Sequence, residues 1–599
     1  MLRRGNKPKP PKGGSMASVA VLAGLGMLIA GIVLTVTGTT GNNARTHDYD
    51  YVIVGGGAAG SVVAERLSRN GRYSVLLIEA GPELEGEGIT TEMAWWSRFI
   101  PTYSFGELFW QHAMQHTGFG DVTDGANLAR GIPPPTEPTL PESSEVQYQY
   151  SGGRVLGGNS KVNTGLFVRG SDWVFDQWES ITGDPIWATV NVLQAYKDLE
   201  KYYSENFNPV RRGFSGPIEL KDQTNGLAPM ADKLVAAFEQ LTNLSRLDDY
   251  NDLLTASRLG PFLGWQVAVD ANQTRRSADV AILTPHVRAR KNLVISTAST
   301  ANKVVFDSQK HARGVLYLHN GHEFVAHAKK RVVLSAGINT ATILQLSGIG
   351  DEETLLSAGV PVIQNNSQVG RNIANHLKVT ATFTKDTNDF PSEEPSTAYE
   401  MGAFLPDPMN NPFVVHSPRQ FQVQAVNNFE ELYLSLLDVQ PLAIGSNDIW
   451  TRDPLRVSNV VQVTDDDDGD YDINMLTEGV RHYACKLHNE FQGYGHGPAI
   501  DTDYRLVDPP LEICNDTLAL REWVNYNIDP RVFQWSSSCR MGQVNDGSSV
   551  TNSRGSVWGV TGLTIADRSL FPIPHDGDTM AASYLVGKII AEQIVSENF

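Results

Sequence analysis

The stretch Tyr49–Gly60, YDYVIVGGGAAG, decides how this 599-residue chain is read. Tyr49–Val54 is β-branched and aromatic, as a parallel strand buried on both faces should be, and it runs straight into three consecutive glycines. Ser61–Leu67 reads as helix, and Ser74–Ile78 (SVLLI) as a second strand ending in Glu79, 19 residues after Gly60. A strand, a GxGxxG turn, a helix and an acid at that distance form a dinucleotide-binding unit. Gly55 permits the tight turn, Gly57 lets the backbone approach a pyrophosphate, Gly60 lets helix and strand pack closely, and Glu79 accepts from a ribose hydroxyl.

Outward from this unit, composition sets the class. Hydrophobic residues at 41% and charged residues at 19% exclude a disordered or coiled-coil chain. The net charge is −19, although five positive charges (Arg3, Arg4, Lys7, Lys9, Lys12) lie in the first 14 residues. So acidic a body repels phosphate backbones, and no nucleic-acid partner is expected. Three cysteines without metal-ligand spacing argue against a zinc site and leave open one bridge, Cys485 to Cys514, in an oxidising compartment. The run Asp465–Asp470 (DDDDGD) does not fit an EF-hand loop and reads as a solvated turn.

Ahead of the dinucleotide unit, Ala17–Val36 is a nearly wholly apolar run of 20 residues behind the basic tail. As a helix it would span about 30 Å, the thickness of the hydrocarbon core, which is long for a cleavable signal peptide. The expectation is a membrane anchor in the lipid bilayer, single-pass, with the body on the non-cytoplasmic side; secretion after signal cleavage is the alternative. Four sequons, at Asn243, Asn272, Asn365 and Asn515, permit glycosylation there.

Four blocks downstream and upstream carry a resemblance. Beyond the glycine turn with Glu79–Pro82 (EAGP), these are Gly152–Trp178 (GGRVLGGNSKVNTGLFVRGSDWVFDQW), Ser335–Gly350 (SAGINTATILQLSGIG) with Val369–Asn372 and Asn375–His376 after it, and Val557–Asp567 (VWGVTGLTIAD) leading to a last helix over Ala582–Ile594. In that order they resemble the glucose-methanol-choline (GMC) oxidoreductase family, its aryl-alcohol oxidase-like and choline dehydrogenase-like members in particular. The resemblance implies an α/β fold: a discontinuous Rossmann-type FAD-binding domain with an inserted substrate domain of antiparallel sheet and helices. It divides the chain into tail, anchor and linker (1–46), FAD-binding parts (47–200 and 266–378), substrate-domain segments (201–265 and 379–530) and a C-terminal FAD and active-site segment (531–599). Short strands at Lys291–Ser296, Lys303–Phe306, Gly314–Tyr317 and Arg331–Leu334 belong with the nucleotide fold, and Leu455–Val463 is strand-like on the substrate side. The proline-rich loop Pro133–Pro141 reads as a surface insertion, with a lid over the active-site mouth as the alternative. The implied FAD-binding set is Gly55, Gly57, Ala58, Gly60, Glu79, Arg154, Gly158, Asn159, Asn163, Val304, Asp567, Asp578 and Thr579. Members that attach the flavin covalently do so through a His just before the position of Asn163; Val162 stands there, so non-covalent FAD is expected.

At the catalytic positions the chain departs from the family. There a His removes the alcohol proton while hydride moves to flavin N5, and a second His or an Asn partners it. Alignment on Cys539–Gly542 puts Gln534 at the His position and Trp535 at the usual Pro; alignment on Asp567 and Thr579 puts Asp578 at the partner position. An amide orients a hydroxyl but cannot deprotonate it. Asp578 has a base to offer, yet a carboxylate ~5 Å from a flavin that must become anionic opposes reduction by about 3 kcal/mol at an effective dielectric near 20. Protonating it by burial removes both penalty and base. His575 reads as an ordinary loop histidine, and neither it nor His376 stands at a position the family uses. The expectation is a CH–OH oxidoreductase for a small-molecule alcohol, working with a modified Gln534/Asp578 site and turning over weakly. The alternatives are a degenerate flavoprotein kept for a structural role and flavin chemistry without alcohol deprotonation.

Overall fold

The structure is a computed structural model that describes residues 47–84, 109–117, 147–204, 208–224, 227–255, 258–385, 399–409, 417–428, 431–453, 458–463, 471–529, 532–543 and 547–597. The apolar run Ala17–Val36, the loop Pro133–Pro141 and the acidic run Asp465–Asp470 lie outside them. Among the described residues no helix is long and apolar enough to cross a membrane.

Strand β1 (His47–Val54) buries Tyr51–Val54 completely and sits inside a seven-stranded sheet of order 299–306, 312–319, 322–334, β1, β2 (Val75–Ile78), 293–296. Its neighbours on both sides run parallel, with Val52 opposite Leu76 and Val332, and Leu563–Ile565 extends the long strand His322–Leu334 on its other edge. Between β1 and β2 the chain returns through helix α1 (Ala58–Ser68). The last helix, Met580–Ser596, lies against α1. Gly587 makes the approach feasible, because a Cβ there would stand 2.6 Å from the Ala59 carbonyl oxygen, and Arg66 closes the pair with two 2.7 Å bonds to Glu592. The chain therefore has the α/β fold of an FAD-binding domain, with every expected nucleotide-side strand in one sheet.

A second, six-stranded sheet has the order 504–508, 377–385, 431–438, 421–428, 401–405, 260–263, all antiparallel. Leu377–Lys385 (LKVTATFTK) alternates as half-buried strands do, and its apolar face packs with helices 229–242, 471–480 and 517–527 into a separate core. Cys485 and Cys514 are bonded beside that core, the bridge left open by the sequence. Of the strand-like run Leu455–Val463, residues Ser458–Val463 form a strand, paired with Phe109–Thr117.

Candidate active site

At the first turn, Gly55 adopts φ +98°, and a Cβ there would meet the Ser335 carbonyl oxygen at 2.3 Å; at Gly60 a Cβ would stand 1.9 Å from the Gly55 oxygen. Gly57 differs: its backbone is extended, and the nearest atom to a Cβ would be the Gly158 Cα at 3.9 Å. The two glycine loops thus meet backbone to backbone with no side chain between them, at the start of a helix that no side chain caps. Open backbone at an uncapped helix N-terminus fits a pyrophosphate, so the residues present suit a dinucleotide such as FAD. Asn159, in the same loop, accepts from the Gly153 N–H at 2.6 Å.

Glu79 is more constrained than its spacing implies. One carboxylate oxygen accepts from the Gly56 N–H at 2.7 Å and the other from the Gly81 N–H at 2.8 Å, so the acid staples the glycine turn to β2 and retains only its second lone pairs for a ribose. Burial pushes its pKa up to about 7, against those amides and the Arg154 guanidinium, which hold it down. Asp567 ties the third block to the fourth through Gly337 N–H and the Thr340 hydroxyl, at 2.9 and 2.6 Å. Val304 stands apart, buried in strand 299–306 with its N–H donated to Ser347.

The second group gathers where the last helix begins. Gln534 Nε2 donates to Asp578 Oδ1 at 2.5 Å, and Gln534 Oε1 accepts from the Thr579 N–H and hydroxyl at 3.0 and 2.5 Å. A backbone N–H only donates, so the amide cannot be turned over: its oxygen faces Thr579 and its nitrogen faces Asp578. Asn163 points its Nδ2 at the Met580 sulfur, 3.2 Å away, while Arg275 and Gly165 N–H occupy its oxygen at 3.0 Å. Gln534, Asp578 and Asn163 all keep partial exposure and so line a surface. Val162, the residue before Asn163, is buried.

The segment carrying Gln534 is bent at both ends. Phe533 and Ser537 take φ of +60° and +70°, conformations costing about 1–3 kcal/mol each for side-chain-bearing residues. Backbone bonds to neighbouring loops hold them: Arg568 Nη1 to the Phe533 oxygen (3.1 Å), Asn375 Oδ1 from Gln534 N–H (2.9 Å), Ser536 N–H to Ala374 (3.0 Å) and Ser537 N–H to Arg568 (3.2 Å). Trp535, 2% exposed, packs against Ile338 and Ile373.

One expectation needs correction. His575 is no loosely directed loop residue: it is fully buried beside Phe175 and Phe571, with Nδ1 2.9 Å from the Gly577 oxygen and Nε2 3.0 Å from the Arg169 oxygen. Both ring nitrogens face backbone carbonyls. His376 lies behind it, its Nε2 2.9 Å from the His575 oxygen, and burial pushes its pKa down to about 4.

One member of the cluster escaped the sequence reading. Gln422, wholly buried in strand Phe421–Asn428, donates to Asp578 Oδ2 at 2.6 Å. The signal was there in FQVQAV: glutamines alternate with apolar residues, and Phe421, Val423 and Ala425 fill the second core while Gln422 faces the other way. Burial raises the Asp578 carboxyl above its ordinary range, while Gln422, His575 and Gln534 pull it back down.

Comparison with known proteins bears on the family and the fold. The chain is 28% identical to Glucose methanol choline oxidoreductase atC of Aspergillus terreus, covering 92% of this chain and 93% of that one. It is 25% identical to the Oxygen-dependent choline dehydrogenase of Burkholderia mallei, over 92% and 94%. The structure of a fungal aryl-alcohol oxidase superimposes with a TM-score of 0.73 at 18% identity, over 92% and 99%, which speaks for the fold alone. Residues 49–378 and 452–587 match the N-terminal and C-terminal GMC oxidoreductase profiles, and the chain belongs to that family.

Proposed function

We propose that this FAD-dependent oxidoreductase oxidises CH–OH groups of a small-molecule alcohol through a modified site in which Gln534 and Asp578 replace the family's usual pair. The observation that carries this reading is the 2.5 Å bond between those two side chains, both partly exposed at the head of the last helix. Bound FAD supplies the hydride acceptor. The facing loops at Gly57 and Gly158 hold its pyrophosphate, Glu79 its ribose, and Gln534, with its amide orientation locked by Thr579, directs an N–H toward the substrate side. The relative named for choline supports the substrate class. The test is anaerobic: the purified yellow protein, mixed with a panel of primary alcohols, bleaches with at least one of them. With Val162 in place of the attachment residue, acid precipitation is expected to leave the flavin in a yellow supernatant; a yellow pellet would contradict non-covalent binding.

Membrane anchoring through Ala17–Val36, with the body on the non-cytoplasmic side, is part of the same proposal. The Cys485–Cys514 bridge fits an oxidising compartment, and the asparagines of all four sequons are exposed, as glycosylation would need. Deleting residues 1–46 should turn a membrane-bound flavoprotein into a soluble one with its FAD retained. A full-length product whose mature chain starts near Asn42 would show cleavage instead.

A further inference from the structure

We propose that Asp578 takes the hydroxyl proton in alcohol oxidation, and that Gln422 is the positioning residue that holds its carboxylate for that task. This rests on the reading of the chain as an alcohol oxidiser and names the base which that reading leaves open.

Elimination among the neighbours comes first. Gln534 has no usable basic site. The ring nitrogens of His575 face the Gly577 and Arg169 carbonyls, and His376 is turned onto the His575 oxygen in a fully enclosed position. Asp578 remains. Each of its oxygens accepts one amide N–H, from Gln534 at 2.5 Å and from Gln422 at 2.6 Å, and each keeps a second lone pair. Amides orient a carboxylate without handing it a proton, so the group stays ready to receive one. Its place just before the 17-residue helix Met580–Ser596 adds the favourable field of a helix N-terminus.

The two amides come from different parts of the fold, Gln534 from the bent C-terminal segment and Gln422 from the second sheet. Together they fix both oxygens, which a single donor would leave free to rotate about the Cβ–Cγ bond. His575 acts on the carboxylate only through its charge, with Asp576 next to it in sequence; Arg568 reaches the Thr579 hydroxyl at 3.2 Å from the preceding turn, and the His376 ring meets the His575 oxygen. Burial lifts the carboxyl above the ordinary aspartate range, which brings it closer in basicity to the protons it must accept.

The step balances. The alcohol O–H breaks and its proton bonds to an Asp578 oxygen; the carbinol C–H breaks, its hydrogen leaving with the electron pair to oxidised FAD; the oxygen's freed pair closes the C=O bond. Negative charge leaves Asp578 in the same event that places one on the isoalloxazine, so the total charge of the site is unchanged. A permanent carboxylate would oppose reduction, whereas one that is neutralised by the reaction does not.

The test uses the FAD-loaded full chain. Asp578→Asn should retain FAD, lose about 10²- to 10⁴-fold in kcat/KM for a primary alcohol, and lose the acid limb of the pH profile. Gln422→Leu should keep the limb but move it to higher pH, because the carboxylate forfeits a donor while staying desolvated. The flavin midpoint potential supplies a readout independent of turnover: it should be higher in Asp578→Asn than in wild type above the limb, and equal below it. An Asp578→Asn enzyme with wild-type kcat/KM and an unmoved limb overturns the assignment of the base. Gln422→Leu with lowered activity but an unmoved limb overturns the positioning role. If the wild type bleaches with no alcohol, the proposed function fails separately. The potentials then still decide whether Asp578 is the titrating charge at the flavin: a pH-dependent gap supports it, and no gap overturns it.

Discussion

Gly57→Val is expected to give a folded, colourless protein, and Gly60→Ala to give little folded protein at all. The two glycines lie three residues apart in one turn, yet they meet different things. A Cβ at Gly60 would stand 1.9 Å from the Gly55 carbonyl oxygen and 3.0 Å from the Ser335 side chain. Gly55 cannot yield, since its own φ of +98° and its approach to Ser335 already fix it. Relief therefore requires moving β1 against α1, at about 3 kcal/mol or more, the upper end of overpacking costs. At Gly57 the backbone is extended and a Cβ has room, 3.9 Å from the nearest atom, so the first carbon of a side chain fits without moving β1 or α1. What it blocks is the approach of a pyrophosphate to the helix N-terminus, and FAD retention should fall at least ~10-fold, equivalent to about 1.4 kcal/mol. Circular dichroism and flavin absorbance on the purified variants separate the two. A yellow Gly57→Val protein with wild-type flavin content would show that the pyrophosphate sits elsewhere.

Much of this was legible because burial on both faces leaves a plain mark. Tyr51–Val54, Val75–Ile78 and Val332–Leu334 are continuous apolar runs, and the structure places all three side by side in parallel. The last helix, read as Ala582–Ile594, extends to Met580–Ser596. What stayed hidden was direction. His575 in PHDGDT has no periodic context, so nothing local announces that its ring is locked between Gly577 and Arg169, residues 2 and 406 positions apart. Gln422 is hidden for the same reason: alternation in FQVQAV identifies a strand with one polar face, but only the tertiary fold says that this face meets Asp578, 156 residues later. Glu79 shows what spacing alone leaves out. Its spacing was read as a ligand contact, and the structure adds that both oxygens first brace the turn itself.

Gln534→His combined with Asp578→Asn is expected to recover most of the turnover that Asp578→Asn alone loses, a rise of about 10²-fold or more, since general-base catalysis is typically worth 10²- to 10⁴-fold. The single variant leaves two amides around a third and no group able to accept a proton. Adding the imidazole restores one at the family's own position, facing the Thr579 N–H and hydroxyl that now serve Gln534 Oε1. The charge balance also changes. Proton transfer to Asp578 leaves a neutral acid beside the reduced flavin, whereas transfer to histidine leaves a cation that attracts it, so the flavin of the double variant should be easier to reduce. Trp535 remains packed against Ile338 and Ile373, and the substrate range should therefore stay that of the wild type. The signature is in the pH profile: an acid limb set by Asp578 in the wild type, absent in Asp578→Asn, returns in the double variant near the ordinary imidazole value of about 6.5. Bleaching rates under matched substrate across pH measure this directly. A double variant no faster than Asp578→Asn would mean that position 534 does not face the alcohol, and that the bent Phe533–Ser537 segment presents a different side chain to it.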